Sequence, residues 1–268
     1  MAALPPNVLV FSASDPSGGA GLQADILTVA RLGCHPLTVV TALTAQDTRG
    51  VRELKAVETG LVARQAEVLL EDLPIAAIKI GVMGSPQNVA TIARVASRHR
   101  SVPVVLDPVL ASGRGDPLTD EGVQQAMRRE LFPLVCVLTP NSQEARRLAD
   151  DDRSPASADL AECARRLAGR GCEYVLITGT HEPAPDVVNR LYRGSELVRE
   201  DRWPRLPGEY HGSGCTLASA IAAQLARGRE VAEAVAIAQR FTWDALAAGF
   251  RPGAGQHLPD RFFGCHDA

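Results

Sequence analysis

The chain has little lysine, no paired cysteines and no long apolar run, and each absence excludes a class of protein. Only two lysines, Lys55 and Lys79, stand among the 28 lysines and arginines, and the net charge of −3 gives no electrostatic reason to expect nucleic acid or an anionic membrane as a partner. The six cysteines are scattered, without a C-x-x-C pair or the ligand spacing of a zinc site. No stretch reaches the ~20 apolar residues that a membrane-spanning helix requires.

The remaining composition is that of an ordinary globular protein, with 46% hydrophobic and 22% charged residues. A chain of this length buries roughly 75% of the surface that its unfolded form exposes, so it needs no disulfides. The first residues, MAALPPNVLVF, lack the charged region that opens a signal peptide. We therefore expect a soluble, cytoplasmic protein.

Short β-branched runs alternate with longer amphipathic runs, which is typical of βα units around a mostly parallel sheet. The predicted strands are 7–12, 37–41, 77–80, 104–106, 135–138 and 174–178. The predicted helices include 22–32, 87–97, 121–130, 158–168, 216–226 and 231–247. Segments 187–192 and 196–202 predict an antiparallel hairpin at the sheet edge. Because no linker or repeat interrupts the pattern, we expect a single domain over residues 1–268, with its core at about 7–247 and a tail at 249–268.

A glycine-rich loop, residues 12–21, follows the first predicted strand and leads into a helix. Glycines at such a junction let backbone amides approach a ligand at the positive end of the helix. The same loop also fits a helix start that simply needs flexible residues. Residues 19–24 match the dinucleotide fingerprint G-x-G-x-x-A, but Asp-Pro-Ser-Gly intervenes between the strand and the first glycine, which disfavours a dehydrogenase.

A second glycine loop, residues 211–216, opens another predicted helix. Its Gly-x-Gly pattern aims several amides at one point with the helix dipole behind them, which suits a transferring phosphoryl group. The alternative is an ordinary helix cap with flexible glycines. Cys215 stands at the helix N-terminus, where a thiolate is stabilised. Neither lysine follows a glycine in the G-K-[ST] pattern, so any phosphoryl transfer must use this loop rather than a Walker loop.

Polar residues follow three of the predicted parallel strands, where ligands of such sheets gather. Asp107 follows one strand, Asn141 and Glu144 follow the next, and Thr178 with Gly179 closes a third. Carboxylates at Asp107 and Glu144 would suit a divalent cation that keeps some of its waters. Glu144 fits equally well as a solvated acid in the first turn of a helix.

Six short motifs, taken in chain order, resemble those of bacterial hydroxymethylpyrimidine/phosphomethylpyrimidine kinases. They are 14–25 (SDPSGGAGLQAD), 41–48 (TALTAQDT), 79–83 (KIGVM), 107–110 (DPVL), 139–141 (TPN) and 211–217 (HGSGCTL). The resemblance implies a ribokinase-like three-layer αβα sandwich and usually a homodimer. It also implies two phosphate transfers from MgATP in thiamine biosynthesis, which convert 4-amino-5-hydroxymethyl-2-methylpyrimidine to its monophosphate and then to its diphosphate. A monovalent cation is a further candidate cofactor.

The resemblance also assigns roles to individual residues. The implied catalytic anion hole is Gly212, Ser213, Gly214 and Cys215. The implied pyrimidine site is Gly21, Asp25, Thr44, Gln46, Met83 and Val109. The implied ATP site is Asn141, Thr178, Gly179, His211 and Arg114, with Asp107 and Glu144 at the metal. Gln46 would bond the aminopyrimidine edge, because an amide offers both a donor and an acceptor. Asp25 would lie near the reacting hydroxymethyl group, with Met83 and Val109 packing on the ring.

The chain departs from the family pattern at two places. Thr178 stands where relatives commonly have a lysine, and we expect Arg114 to replace that charge. Residues 206–210 (LPGEY) precede the anion hole where the family often shows an Asn-Thr pair. Our hypothesis for Cys215 is that it assists the first transfer as a base; the alternative is a buried structural cysteine. Competing functions are a pyridoxal or pyridoxine kinase and a non-catalytic pyrimidine-binding homologue.

Overall fold

The computed structural model describes residues 4–112, 115–149 and 159–265. Within these residues, nine strands form one sheet in the order β3-β2-β1-β4-β5-β6-β7-β8-β9. The strands are β1 (Asn7–Ser14), β2 (His35–Asp47), β3 (Gly50–Ala56), β4 (Ala77–Ile80), β5 (Val104–Leu106), β6 (Val137–Leu138), β7 (Tyr174–Ile177), β8 (Asp186–Arg193) and β9 (Glu196–Pro204). The pairs from β2 through β7 are parallel, and the outer pairs are antiparallel.

Helices cover both faces of this sheet. They are α1 (Gly21–Arg31), α2 (Thr59–Asp72), α3 (Pro86–Arg98), α4 (Glu121–Ala126), α5 (Ser142–Ala149), α6 (Leu160–Gly169), α7 (Ser213–Ala226) and α8 (Val231–Ala247). None of the helices that the structure describes is long and apolar enough to cross a membrane.

The sheet separates two apolar cores because alternate residues of a strand face opposite sides. Leu9 and Phe11 of β1 pack with α2 to α6 on one face. Val8 and Val10 pack with α1, α7 and α8 on the other. All four side chains are fully buried, as the apolar run of this strand predicts for a central parallel strand. The three-layer arrangement and the antiparallel edge hairpin β8–β9 are therefore confirmed.

The opposite edge of the sheet differs from the prediction. β2 extends six residues beyond the predicted end at residue 41 and pairs with the unpredicted β3 in a second antiparallel hairpin. Most residues of β3 are partly or fully exposed, so the segment carries little of the apolar signal that marks a buried strand. This hairpin projects Gln46 beyond the parallel part of the sheet.

Two further segments depart from prediction. The helix predicted over 121–130 is α-helical only to Ala126, and it continues as a π-helical segment (Met127–Leu131) and a short 3₁₀ turn (Phe132–Leu134). The strand predicted over 135–138 is shortened to Val137–Leu138. Helix α5 begins after three intervening residues, and its first turn holds Glu144.

Candidate active site

The parallel strands β1, β4, β5, β6 and β7 end at one edge of the sheet, and the loops that follow them contact each other there. The Leu110 amide, after β5, donates a hydrogen bond to Glu144 Oε1 of α5 at 3.1 Å. The start of α7 approaches the same place, since a Cβ built on Gly214 would lie 3.5 Å from Asp107 Oδ2. The structure thus brings the predicted anion hole and the predicted metal carboxylates together.

The predicted anion hole is held by contact between the two glycine loops. Gly212 caps α7 in the left-handed region, with φ +86°, and a Cβ there would lie 1.8 Å from the Gly19 carbonyl oxygen. Only glycine fits this position. The amides of Ser213, Gly214 and Cys215 belong to the first turn of α7, where backbone N–H groups have no partner within a helix. Gly214 is exposed. The loop therefore offers an open anion-binding site at the positive end of a helix.

A buried ion pair lies beside this loop. Lys79 Nζ contacts the two Asp25 carboxylate oxygens at 2.8 and 2.9 Å, and both side chains are fully buried. Ser219 Oγ of α7 donates to the same carboxylate at 2.6 Å. Burial opposes the charge of Lys79, but Asp25 holds the pKa of the lysine above its ordinary value. The pair therefore fixes α1 and α7 to strand β4.

Asp25, which is predicted to lie near the reacting hydroxymethyl group, is buried beside the second glycine loop. Its side chain has no exposed surface, and both oxygens already accept hydrogen bonds. The Asp25 side chain therefore lies beneath the surface of the site and stabilises it through its bonds to Lys79 and Ser219.

The Cys215 thiol is half-buried at the start of α7. Burial raises its pKa to about 12, which outweighs the attraction of Lys79 for the thiolate and the hydrogen bond from the Gly21 amide. The helix N-terminus predicted a stabilised thiolate, but burial among acidic side chains reverses that expectation. The resting side chain is a protonated thiol.

Asp107 faces the same opening from the end of β5 and is 5% exposed. Burial raises the pKa of this carboxyl to about 7 against the attraction of Lys79, and Glu144 raises it further. Its Oδ2 atom is buried without a hydrogen-bond partner among the described residues. An unsatisfied buried carboxylate oxygen is costly, so this atom is open to a ligand that would satisfy it.

Asp15 organises the first glycine loop. Its carboxylate accepts hydrogen bonds from the amides of Ser17 at 2.8 Å and Ala20 at 2.7 Å, and its Oδ2 lies 2.9 Å from His211 Nε2. Burial alone would raise the pKa of Asp15, but the hydrogen bonds from His211 and Ser17 outweigh it and lower the pKa. His211, predicted to contact ATP, thus joins the second glycine loop to the first.

Asn141 and Glu144 cap helix α5 reciprocally. Asn141 Oδ1 accepts from the amides of Gln143 at 3.0 Å and Glu144 at 2.9 Å, and Glu144 Oε2 accepts from the Asn141 amide at 3.0 Å. This is a capping box. Glu144 is therefore a first-turn acid but not a solvated one, because its other oxygen binds the Leu110 amide and burial raises its pKa.

Thr178 and Gly179 follow β7 directly and lie beside this cap. The Thr178 carbonyl accepts from the Ser142 amide at 3.0 Å. The Gly179 amide donates to Asn189 Oδ1 at 3.1 Å, and a Cβ on Gly179 would lie 2.4 Å from the Val188 carbonyl oxygen. Gly179 is thus required by the close approach of β8, and a protein group already occupies its amide.

Three of the predicted pyrimidine residues, Thr44, Gln46 and Val109, keep part of their surface exposed. Gln46 is half-buried, and its side-chain amide has no hydrogen-bond partner among the described residues. Thr44 Oγ1 donates to a carbonyl of the first glycine loop at 2.9 Å. Val109 is half-buried. Met83, in contrast, is 2% exposed and belongs to the apolar core, so it supports the site instead of offering a surface to a ring.

Sequence reasoning missed three residues of this site. Lys79 was marked only as part of a motif, although a lysine within the apolar strand Ala-Ile-Lys-Ile is itself a signal, because a buried lysine needs an anionic partner. Ser219 and Arg261 carried no such signal. Arg114, expected to replace the missing lysine at Thr178, lies outside the described residues.

Comparison with known proteins places this geometry in context. Residues 15–260 match the family model described as phosphomethylpyrimidine kinase. The chain is 42% identical to the hydroxymethylpyrimidine/phosphomethylpyrimidine kinase of Mycobacterium tuberculosis, over 94% of this chain and 92% of the relative. It is 39% identical to a thiamine biosynthesis bifunctional protein of Geobacter sulfurreducens, over 93% of this chain and 51% of that protein.

Solved structures agree with the fold. The ADP complex of Bacillus subtilis pyridoxal kinase aligns with a TM-score of 0.86 at 28% identity, covering 96% of this chain and 98% of that one. The phosphomethylpyrimidine kinase of Clostridium difficile 630 aligns with a TM-score of 0.75 at 30% identity, covering 90% and 99%. These neighbours confirm the predicted ribokinase-like fold.

Proposed function

The chain belongs to the phosphomethylpyrimidine kinase family, and from that membership we infer that it transfers phosphate from ATP to a hydroxymethylpyrimidine. The product of the first transfer is the monophosphate of 4-amino-5-hydroxymethyl-2-methylpyrimidine, and a second transfer yields the diphosphate for thiamine biosynthesis. The observation that carries this function is the Gly212–Cys215 loop, which opens toward Asp107 at the positive end of α7. Such a loop stabilises the charge of a transferring phosphoryl group.

The metal that accompanies ATP would be held chiefly by Asp107. No group of three or more His, Cys, Asp or Glu side chains among the described residues could hold a metal alone. Mg²⁺ does not require one, because it retains waters and binds substrate phosphates beside one or two carboxylates. Asp107 fits through its unsatisfied Oδ2. Glu144 contributes negative charge, although both its oxygens already accept amide hydrogen bonds. When bound, Mg²⁺ would neutralise charge on the phosphates.

The pyrimidine would be recognised by Gln46. Its amide has both a donor and an acceptor, as a ring nitrogen beside an exocyclic amine requires, and no described residue occupies either group. Val109 and Thr44 would line the remaining walls. The nucleotide would extend toward Asn141 and Thr178 at the ends of β6 and β7, where ligands of parallel sheets bind.

Cys215 is proposed to assist the first transfer, in which the acceptor is a neutral alcohol. Because its thiol is protonated at rest, it would give its proton to the Asp107 carboxylate, which is hydrogen-bonded to it, and take the proton of the alcohol as the alcohol oxygen bonds to the phosphoryl group and ADP leaves. The second transfer needs no such step, because its acceptor is already an anionic phosphate. We expect Cys215→Ala to slow the first transfer by at least about tenfold more than the second. Separate rate measurements for the alcohol and for its monophosphate, with Cys215→Ser as a control of similar size, test this. Equal losses in both steps would contradict the base role.

A second candidate activity is pyridoxal phosphorylation, favoured by the TM-score of 0.86 with a pyridoxal kinase. Incubation with MgATP and either hydroxymethylpyrimidine or pyridoxal, followed by separation of the phosphorylated products, discriminates between them. We expect the pyrimidine to give both the monophosphate and the diphosphate, at a higher kcat/KM than pyridoxal. Failure to release ADP with either compound would overturn the kinase assignment and favour a non-catalytic binder.

Further predictions follow from family membership. We propose that residues 1–268 act as one kinase domain, that the protein forms a homodimer in the cytoplasm, and that a monovalent cation is a candidate activator. Light scattering on the purified protein tests the oligomeric state, and turnover in potassium against tetramethylammonium tests the cation.

A further inference from the structure

Arg261 reaches back from the C-terminal segment to a position beneath both glycine loops. Its side chain is 3% exposed. Nη2 donates to the Gly19 carbonyl at 2.6 Å, and Nε donates to Thr216 Oγ1 at 3.1 Å. Thr216 Oγ1 in turn donates to the Gly212 carbonyl at 2.8 Å. A Cβ built on Gly212 would lie 3.0 Å from Nη2. The guanidinium thus contacts the first loop directly and lies against the second.

Within the described part of the chain, this arginine forms no ion pair with a carboxylate. Among the described residues, none places a carboxylate oxygen within 4.0 Å of its nitrogens. Asp15 and Asp25 are near enough to favour its charge, but burial outweighs them and lowers the pKa of Arg261. An arginine nevertheless stays protonated in proteins. A buried cation is normally paired, because an unpaired one is costly.

The position of this cation indicates which anion it serves. Asp15 is already engaged with His211 and two amides, and Asp25 with Lys79 and Ser219. The opening beside Gly212 is the remaining place for negative charge, and the amides of the first turn of α7 stand there.

We propose that Arg261 is a positioning residue for phosphoryl transfer, whose positive charge behind the Gly212–Cys215 loop strengthens the attraction of that loop for the transferring phosphoryl group. This inference rests on the proposed kinase function. Arg261 acts through Gly212 and Thr216 rather than by touching substrate. Arg261 would also supply a fixed positive charge near the phosphates. This chain lacks the lysine that relatives commonly have at the position of Thr178.

Two substitutions separate charge from tethering. Arg261→Gln places an amide near the position of Nε, so it can keep the bond to Thr216 but loses the charge and the bond to Gly19, whereas Arg261→Lys also has fewer bonds but keeps the charge. We expect Arg261→Gln to lower kcat about 30-fold in both transfers, which is less than the loss of a direct oxyanion donor. We expect Arg261→Lys to retain kcat within about fivefold, and the KM for the pyrimidine to change less than about threefold in either variant.

The matched control is Arg251→Gln in the same segment. Arg251 is exposed, and it donates only to the Ala254 and Gly255 carbonyls. We expect it to turn over like the wild type. Melting temperatures of all three variants show whether they fold, and inhibition by MgADP with aluminium fluoride, a mimic of the transferring phosphoryl group, gives a second readout. Arg261→Gln should weaken this inhibition in proportion to its loss of kcat.

An Arg261→Gln variant as active as Arg261→Lys, or more active, would overturn the charge role. So would unchanged aluminium fluoride inhibition in a folded Arg261→Gln protein. An inactive wild type would instead refute the kinase function itself, so the two failures are distinguishable.

Discussion

The two sides of the active site are stabilised by different kinds of interaction. On the side of the glycine loops, buried ionisable side chains fix the structure through the ion pair Lys79–Asp25, the hydrogen bond between Asp15 and His211, and Arg261. On the side of β6 and β7, the Asn141–Glu144 cap and the Asn189–Gly179 bond join side chains to backbone amides. Among the described residues, two arginines near the latter side are already engaged, since Arg146 pairs with Glu182 and Arg205 donates to three loop carbonyls.

This difference matches the chemistry expected of each side. A transferring phosphoryl group carries charge that must be balanced by groups that do not move, and buried ion pairs resist displacement. Nucleotide binding can rely on backbone contacts. On this account, the buried ionisable side chains surround the place where the phosphoryl group is transferred. Substitutions there should change stability or kcat, whereas substitutions beside β6 and β7 should change the KM for ATP.

The largest expected effect comes from Lys79→Met. Removing the lysine leaves the fully buried Asp25 without its counterion, which costs about 3–5 kcal/mol of unfolding free energy. Denaturant unfolding measures this. The double variant Lys79→Met/Asp25→Leu removes both charges and should recover most of the loss. A single variant within about 1 kcal/mol of wild type would break the claim that buried charge holds this side.

A smaller effect is expected from Asp15→Asn, which removes the carboxylate shared by His211 and two amides. At pH 7 we expect a loss of about 1–3 kcal/mol. Because the pKa of Asp15 is lowered on folding, its contribution is complete above the ordinary carboxyl pKa of about 3.9 and disappears as the pH falls through the folded value. The stability difference between wild type and variant should therefore shrink below about pH 4. A constant difference across that range would show that Asp15 acts through packing alone.

The smallest effect is expected on the nucleotide side, from Thr178→Lys. A lysine at this half-buried strand end should lower the KM for ATP by about tenfold, or 1.4 kcal/mol, with little change in kcat. Thr178→Met, of similar length but uncharged, is the control. If both variants leave the KM for ATP unchanged, position 178 does not face the phosphates. The nucleotide would then not bind beside the end of β7 as proposed.

The sequence predicted the strands and strand-end residues of this site, because apolar runs and the polar residues that follow them are visible within short segments of the chain. Apolar runs located β1, β4, β5 and, with different bounds, β6, and the polar residues after the last two, Asp107 and Asn141, meet at one edge since parallel strands share their ends. Strand β3 escaped prediction because its mostly exposed residues are ordered by pairing with β2.

The remaining features depend on contacts between distant parts of the chain. Lys79 and Asp25 are 54 residues apart, and Arg261 is 242 residues from Gly19. The helix position of Cys215 could not settle its protonation, because the burial that raises its pKa comes from tertiary packing. Met83 was placed on the ligand surface by resemblance, but its side chain is in the core.

The most direct test of where the phosphoryl group is stabilised is the kcat of Gly214→Ala. A Cβ at this exposed position meets nothing closer than Asp107 Oδ2 at 3.5 Å, an ordinary contact, so the fold should tolerate it. The added methyl would nevertheless stand in the opening of the anion loop. The matched control is Gly169→Ala at the end of α6, where a Cβ meets nothing within 4 Å. We expect both variants to melt at or above the wild-type temperature, and Gly214→Ala alone to lose about 100-fold or more in kcat. Wild-type turnover in a folded Gly214→Ala protein would contradict the assignment of phosphoryl transfer to this loop.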